Sequence, residues 1–404
     1  MSPHTNEQSS SHDDNDMTTS LGGLALHSEA GAPHVAGNGR HGNVTGGHCN
    51  KGFSASYSNT KSNTNGNFDC TERPLLAGVY APTPAFFDPS TEELDIPTIR
   101  KHAVRLAQGG IVGLVTQGSN GEAVHLSHAE RRIVTAATRE ALDDAGFRGV
   151  PVIVGCGAQS TRETIELCHD ALVSGGDYAM ILPPSYYKTL YTAQSQYDFF
   201  VTVASESPIP ILIYNYPGAV SGIDLDSDVV TKLSKHPNIV GCKLTCGNTG
   251  KLGRVANAAP SGFMTLGGSS DFTLQTLIAG GKGVIAGLVN IAPRACVDVF
   301  NLYAAGRMEE AEKMQAVVGR GDWGAIKGGV VGTKSCLQSY FGYGGFGRAP
   351  LPRPSPEKAA EYLADFEELL LLEEFLNSGS REEDIHYDKK NEFSQLVELE
   401  RMLV

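Results

Sequence analysis

The chain has 404 residues, 41% of them hydrophobic, enough for one large core or two ordinary ones. Its formal charge of −13 argues against nucleic acid as a partner, and no apolar run approaches the roughly 18 residues a membrane-spanning helix needs. The eight cysteines show no paired metal or disulfide spacing, as expected of a reduced intracellular protein in which the Asn43 sequon is accidental.

Residues 1–73 are rich in Ser, Asn, Gly and His and lack aliphatic periodicity, so they read as a disordered tail. Six of the twelve histidines sit there (His4, His12, His27, His34, His41 and His48), and their irregular spacing favours a solvated tail over a metal site. The start of the chain has no apolar signal core. Five acids against one arginine, Arg40, in the first 40 residues argue against a mitochondrial transit peptide, so the expected location is the cytoplasm.

From 74 to 306, short apolar runs alternate with helical segments. The strand candidates are "GVYAPTPA" (78–85), "GLVTQG" (113–118), "PVIVGCG" (151–157) and "YAMILPP" (178–184). They continue with "PILIYNYP" (210–217), "IVGCKLT" (239–245), "FMTLGG" (263–268) and "GVIAGL" (283–288). An amphipathic stretch of helix length follows each, and Ser127 with Glu130 and Ser160 with Glu163 have capping-box spacing. Continuous apolar strands, each followed by a helix, imply a parallel sheet, and eight such units in about 230 residues match a (β/α)8 TIM barrel. A doubly wound sheet is the second choice. It would more often carry a glycine-rich dinucleotide loop after its first strand, where this chain reads "YAPTPAFFD". Residues 307–376 hold the helical patterns "MEEAEKMQAVV", "AIKGGVVGTKSCLQSYFG" and "SPEKAAEYLADFEELLLLEEF", read as an extension appended to the barrel. Residues 377–404 form a second polar tail ending in a short amphipathic stretch.

Active sites of such barrels lie at the C-terminal ends of the strands. Here those ends include "TQGSNGE", "PPSYYK", "YNYPG", "CKLTCG", "GGSSDF" and "AGLVN". They are rich in hydroxyls, amides and glycines, lack histidine and hold few carboxylates, chiefly Glu122. A divalent-metal aldolase would need clustered ligands and a Ser-His-Asp hydrolase a histidine. Cys242 and Cys246 form a lone CxxxC with no second ligand pair, so no metal is expected. Neither "GGVVGTKS", with Thr333 before Lys334, nor "CGNTGKLG", with no hydroxyl after Lys251, is a phosphate-binding loop.

What remains is amine chemistry. Lys243 ends the apolar run "IVGC", and burial of an ammonium disfavours its charged form. A neutral amine attacks ketones to give a Schiff base, an electron sink for carbon–carbon cleavage. Tyr214, ending the preceding strand, would serve as proton shuttle, and hydroxyl and N–H groups of "GSNG" would hold a carboxylate. Taken singly, a strand-end lysine is more often a solvated snorkelling residue and a strand tyrosine more often core. Their joint placement at adjacent strand ends favours the enzyme.

"GSNGE" (118–122), "PPSYYK" (183–188), "ILIYNYPG" (211–218), "HPNIVGCKLTCGNTGKL" (236–252) and "GVIAGLVN" (283–290) occur in order within residues 76–350. They resemble the motifs of the dihydrodipicolinate synthase and N-acetylneuraminate lyase superfamily, pyruvate-dependent class I aldolases on a (β/α)8 barrel. The resemblance implies Lys243 as the Schiff-base lysine and Tyr214 as the general acid/base. It places Ser119 and Asn120 where the pyruvyl carboxylate binds, Asn120 replacing a second hydroxyl and weakening any proton relay through it. Tyr187 matches a position often near a subunit interface. Thr245 and the backbone of Gly268 and Ile285 match substrate-contacting positions. It further implies no cofactor, a small 2-oxo acid substrate, and a homodimer or homotetramer.

The synthases of this superfamily carry an arginine shortly after "YN-x-P", where this chain reads "YNYPGAVSG" with Ala219 and Val220, so a lysine-biosynthesis role is disfavoured. "GSNGE", "SPIPILIYNYP", "HPNIVG" and "FGYGGFGRAP" are similar to the 4-hydroxy-2-oxoglutarate aldolases and to aldolases that split L-threo-3-deoxy-hexulosonate into pyruvate and L-glyceraldehyde. "YNYPGAVSGIDLDSD" and "TCGNTGKL" lean toward the latter. The expected function is therefore an aldehyde-lyase acting on a 2-oxo-3-deoxy sugar acid. Its rivals are the hydroxyoxoglutarate aldolase, a dehydratase, decarboxylase or synthase using the same imine, a catalytically silent barrel, and a binding module in the His-rich tail.

Overall fold

A computed structural model describes residues 73–378. The expected tails, 1–73 with its histidines and 377–404, fall outside these residues except at their inner ends. Eight parallel strands alternate with eight helices in chain order. The first half is β1 (Gly78–Pro82), α1 (Ile96–Gln108), β2 (Gly113–Thr116), α2 (His128–Asp144), β3 (Val152–Gly155), α3 (Thr161–Val173), β4 (Tyr178–Ile181) and α4 (Ala193–Glu206). The second half is β5 (Ile211–Asn215), α5 (Ser227–Leu233), β6 (Ile239–Leu244), α6 (Thr249–Ala258), β7 (Met264–Gly267), α7 (Thr273–Ile278), β8 (Gly283–Ile285) and α8 (Pro293–Ala304). Each strand pairs with its sequence neighbour, and β8 closes on β1 through Gly78↔Gly283, Val79↔Val284 and Tyr80↔Ile285. Among the described residues no helix is long and apolar enough to cross a membrane.

All eight expected strands form, and each ends earlier than its apolar run. The final residues of the runs leave the sheet to become the loops at the barrel mouth. After β2 the chain turns at Gln117, whose φ of 56° is incompatible with continued pairing. Ser127 and Glu130 form the full capping box. At α3 only half of one forms: Ser160 accepts from the Glu163 N–H, while the Glu163 carboxylate reaches His128 instead.

Side chains alternate between two cores. Tyr80, Val115, Ile153, Met180, Leu212, Leu266 and Ile285 fill the barrel interior. Val79, Leu114, Val152, Ile181, Ile211 and Ile213 pack outward against the helices. In β6 this alternation is broken by one residue. Ile211 pairs with Ile239 but Leu212 pairs with Gly241, so Val240 is an extra residue, a β-bulge. Ile239 faces outward before the bulge, and after it Cys242 and Leu244 do so, leaving Lys243 on the inner face opposite Tyr214. Gly241 permits this register. A Cβ there would lie 2.7 Å from the Met264 carbonyl oxygen and 2.9 Å from Met264 Cβ.

Beyond the barrel come α9 (Met308–Phe341), α10 (Pro356–Ala364) and α11 (Glu367–Ser378). Two of the three expected helical patterns join in α9, which breaks at Gly329 (φ 56°, ψ −152°), a conformation suited to glycine. The third pattern splits around Asp365 and Phe366. The extension is tied to the barrel mouth. Lys334 of α9, wholly buried, donates to Glu122 Oε1 at 2.7 Å and to the Phe346 carbonyl at 2.8 Å. Glu122 Oε2 accepts from the Arg348 N–H at 2.9 Å.

Two changes test these constraints. Gly241→Ala should cost roughly 1–3 kcal/mol in a chemical denaturation curve, because the Met264 backbone cannot retreat from a new methyl group without moving β7. Lys334→Met should cost about 3–5 kcal/mol by leaving the Glu122 carboxylate buried without its cation. Adding Glu122→Gln should restore part of that loss.

Candidate active site

The C-terminal ends of the strands and α9 enclose a cavity of about 160 Å³. The strand-end loops contribute Pro82, Ser119, Asn120, Tyr214, Tyr216, Lys243, Thr245, Gly268, Ser269 and Gly287. From α9 come Asp322, Ala325, Ile326, Gly329 and Thr333. A larger, more open groove of about 650 Å³ lies between α7 and α9 around Trp323 and contains none of the expected site residues.

Among the described residues three lysines are buried: Lys243, Lys251 and Lys334. Lys251 pairs with Asp224 and Lys334 with Glu122. Lys243 pairs with no carboxylate among the described residues, and its Nζ lies 4.2 Å from the centroid of the Tyr214 ring. β-Ladder pairing sets this geometry, since Tyr214 and Lys243 are register partners on neighbouring strands. Tyr216 stacks on Tyr214 with ring centroids 5.8 Å apart, and burial pushes its hydroxyl pKa upward. The Tyr214 hydroxyl stands 3.5 Å from Ser119 Oγ, a loose contact of the kind that tightens when a substrate binds. Thr245 Oγ1 is buried with no hydrogen-bond partner among the described residues. Gly268 lies so close that a Cβ there would come within 2.0 Å of that oxygen.

The loops behind these residues are braced. Asn215, next to Tyr214, donates from Nδ2 to Asp224 at 2.7 Å and accepts from the Leu225 N–H at 2.9 Å. Lys251 holds the same Asp224 oxygen. The lysines of the two rejected phosphate-loop patterns are thus structural cations that fix carboxylates behind the site. Cys242 faces the outer core, where burial pushes its thiol up to about 12, and it does not share the inner face with Lys243.

Of the eight expected site residues, Lys243, Tyr214, Ser119, Asn120, Thr245 and Gly268 meet at the cavity. Ile285 packs inside the barrel and does not line it. Tyr187 lies on the loop after β4, 59% exposed, with its ring against Tyr186 and away from the cavity. The α9 wall has no counterpart in the sequence reading. Its only acid there is Asp322, 2% exposed, whose Oδ2 accepts from Ser269 Oγ (2.5 Å), the Ser270 N–H (2.7 Å) and the Asp271 N–H (2.9 Å). Burial pushes the Asp322 carboxyl up to about 6; donation from Ser269 opposes the rise and the nearby Asp271 charge adds to it. An acid between Gly321 and Gly324, in the gap between two helical patterns, was the only local signal for this wall.

Comparison with known proteins gives a consistent result. The model of the dihydrodipicolinate synthetase family matches residues 76–338. A probable 4-hydroxy-2-oxoglutarate aldolase, mitochondrial, from Emericella nidulans is 59% identical over 306 residues, covering 76% of this chain and 99% of that protein. The L-threo-3-deoxy-hexylosonate aldolase of Aspergillus niger is 52% identical over 327 residues, covering 75% and 98%. Among solved structures, a dihydrodipicolinate synthase family protein from Coccidioides immitis superposes with a TM-score of 0.67 at 32% identity, covering 74% of this chain and 97% of that one. Matched across most of the barrel by the family model, and by relatives along nearly their whole lengths, this chain belongs to the dihydrodipicolinate synthetase family.

Proposed function

We propose that the protein is a class I aldolase that cleaves a 2-oxo-3-deoxy sugar acid of the L-threo-3-deoxy-hexulosonate type into pyruvate and an aldehyde. The observation that carries this reading is the lysine census. Two buried lysines are each held by a carboxylate, and the third, Lys243, faces the cavity beside a tyrosine with no carboxylate partner among the described residues. A structural lysine needs a partner to offset its desolvation, whereas a nucleophilic amine needs a free lone pair. The Aspergillus niger relative's name supplies the substrate type.

In this mechanism Lys243 adds to the C2 ketone, and Tyr214 protonates the departing hydroxyl as the carbinolamine loses water to form the iminium. The resulting Tyr214 phenolate takes the C4 hydroxyl proton as the C3–C4 bond breaks, and the bonding pair flows into the iminium to give an enamine. The aldehyde leaves. Tyr214 returns its proton to C3, and hydrolysis of the imine releases pyruvate and restores the amine. Ser119 and Asn120 hold the C1 carboxylate, and the unpartnered Thr245 hydroxyl contacts the same half of the substrate. The Emericella nidulans relative supports a second reading, 4-hydroxy-2-oxoglutarate cleavage by the same steps. Assembly as a homodimer or homotetramer, on the family resemblance, belongs to this proposal. So does a cytoplasmic location, although the Emericella nidulans relative's name places that protein in mitochondria.

Incubation with pyruvate and borohydride should attach a reduced pyruvyl group to the peptide containing Lys243, and Lys243→Ala should abolish it. Folded protein that yields no adduct, as read by mass spectrometry, would exclude the imine. Tyr214→Phe should lower turnover by roughly 10²–10⁴-fold while still forming the trapped adduct, more slowly, since the amine stays in place and water must supply the proton for loss of the hydroxyl.

A further inference from the structure

We infer that Asp322 is the residue through which this site selects an uncharged, hydroxylated aldehyde half and rejects an anionic one. The inference rests on the imine at Lys243 proposed above and extends it to the opposite wall of the cavity. Asp322 shares the cavity with Lys243, and among the described residues these two are its only lining residues with formally charged side chains. Its orientation is fixed, because Oδ2 is held by Ser269 Oγ and by the N–H groups of Ser270 and Asp271. All three hydrogen bonds to this carboxylate among the described residues fall on Oδ2, and none comes from a cation. A buried carboxylate normally fills its acceptor sites or pairs with a cation.

Substrate geometry gives the other oxygen, Oδ1, a use. With C2 on Lys243 of β6 and the C1 carboxylate at Ser119 and Asn120 after β2, the remainder of the substrate lies along the rest of the cavity lining, which includes Ser269 of the β7 loop and Asp322 of α9. The hydroxyls of a sugar acid donate to a carboxylate in short, charge-assisted hydrogen bonds. A substrate ending in a second carboxylate would instead set one anion beside another or force Asp322 to take up a proton, a cost that a hydroxyl does not incur. Like charges there are weakly screened, so this wall disfavours such a substrate. No arginine lines the cavity to reverse that preference.

Asp322→Asn is the informative variant. The amide oxygen can still accept from Ser269, Ser270 and Asp271, so the wall keeps its shape while losing its charge. For the full chain, the ratio of kcat/KM on a 2-oxo-3-deoxy-hexonate to kcat/KM on 4-hydroxy-2-oxoglutarate should fall about tenfold or more, the difference between a charged and a neutral acceptor. Borohydride trapping of pyruvate by the variant should match that of the parent protein. A variant that traps pyruvate normally and keeps the parent's ratio overturns the role of Asp322 alone. A variant that loses trapping and all turnover together makes Asp322 a structural residue and also overturns it. If the parent protein itself traps no pyruvate, the imine reading fails first and this inference falls with it.

Discussion

One extra residue in β6 decides what this barrel can do. Strands alternate with a period of two, so a slip of one position exchanges every inward side chain for its outward neighbour. Counted from outward-facing Ile239 without interruption, Cys242 would face the barrel interior and Lys243 the helices. The bulge at Val240 reverses this, setting the amine inside against Tyr214 and the thiol outside in an apolar layer. The bulge in turn depends on the absence of a side chain at Gly241, where β7 approaches closely. A local irregularity in hydrogen bonding thus places the amine proposed as nucleophile, which accords with the concentration of bulges beside active sites.

Given the amine inside, the rest of the mouth must be held rigid around it. Two ion pairs do this, Lys334–Glu122 wholly buried and Lys251–Asp224 with its carboxylate half-exposed. Glu122, at the end of "GSNGE", is gripped by Lys334 from α9, which fixes the loop bearing Ser119 and Asn120. Asp224, beyond "YNYPG", is gripped by Lys251 and by Asn215, which fixes the loop beside Tyr214. Such pairs offer little net stability over apolar packing, because desolvation offsets most of the attraction. Their value is geometric. They forbid the alternative loop positions that would leave a charge buried alone, and reacting groups must be held to within a fraction of an ångström of productive geometry.

Most of the barrel could be read from the sequence because its signals are local. Eight apolar runs, their helix caps and the helical stretches between them each report on a few adjacent residues, and the right-handed βαβ rule then leaves little topological freedom. The neighbouring placement of Lys243 and Tyr214, each next to the last residue of its strand, was legible for the same reason. What escaped depends on distant pairing. Lys334 and Lys251 looked like failed phosphate-loop lysines until their carboxylates, Glu122 and Asp224, were brought to them by the fold. The bulge at Val240 is invisible in a run that is apolar whichever way it faces. Tyr187, expected near a subunit interface, lies exposed on the loop after β4. The wall of α9 was missed because a helix read as an appendage offers no reason to aim one acid at a site about eighty residues upstream.

That wall separates two properties that a single barrel would be expected to join. The amine and the tyrosine belong to β5 and β6, where ladder hydrogen bonds and core packing on both faces leave no freedom to vary. Asp322 belongs to α9, which reaches the cavity from outside the sheet and is interrupted by the break at Gly329 within the same cavity wall. Small changes in the length, tilt or residues of α9 would alter what the far end of a substrate meets while the imine chemistry stayed fixed. Relatives named for cleaving different 2-oxo acids align with this chain over the whole barrel. That is the pattern expected when the strands hold the reaction and a helix chooses the substrate.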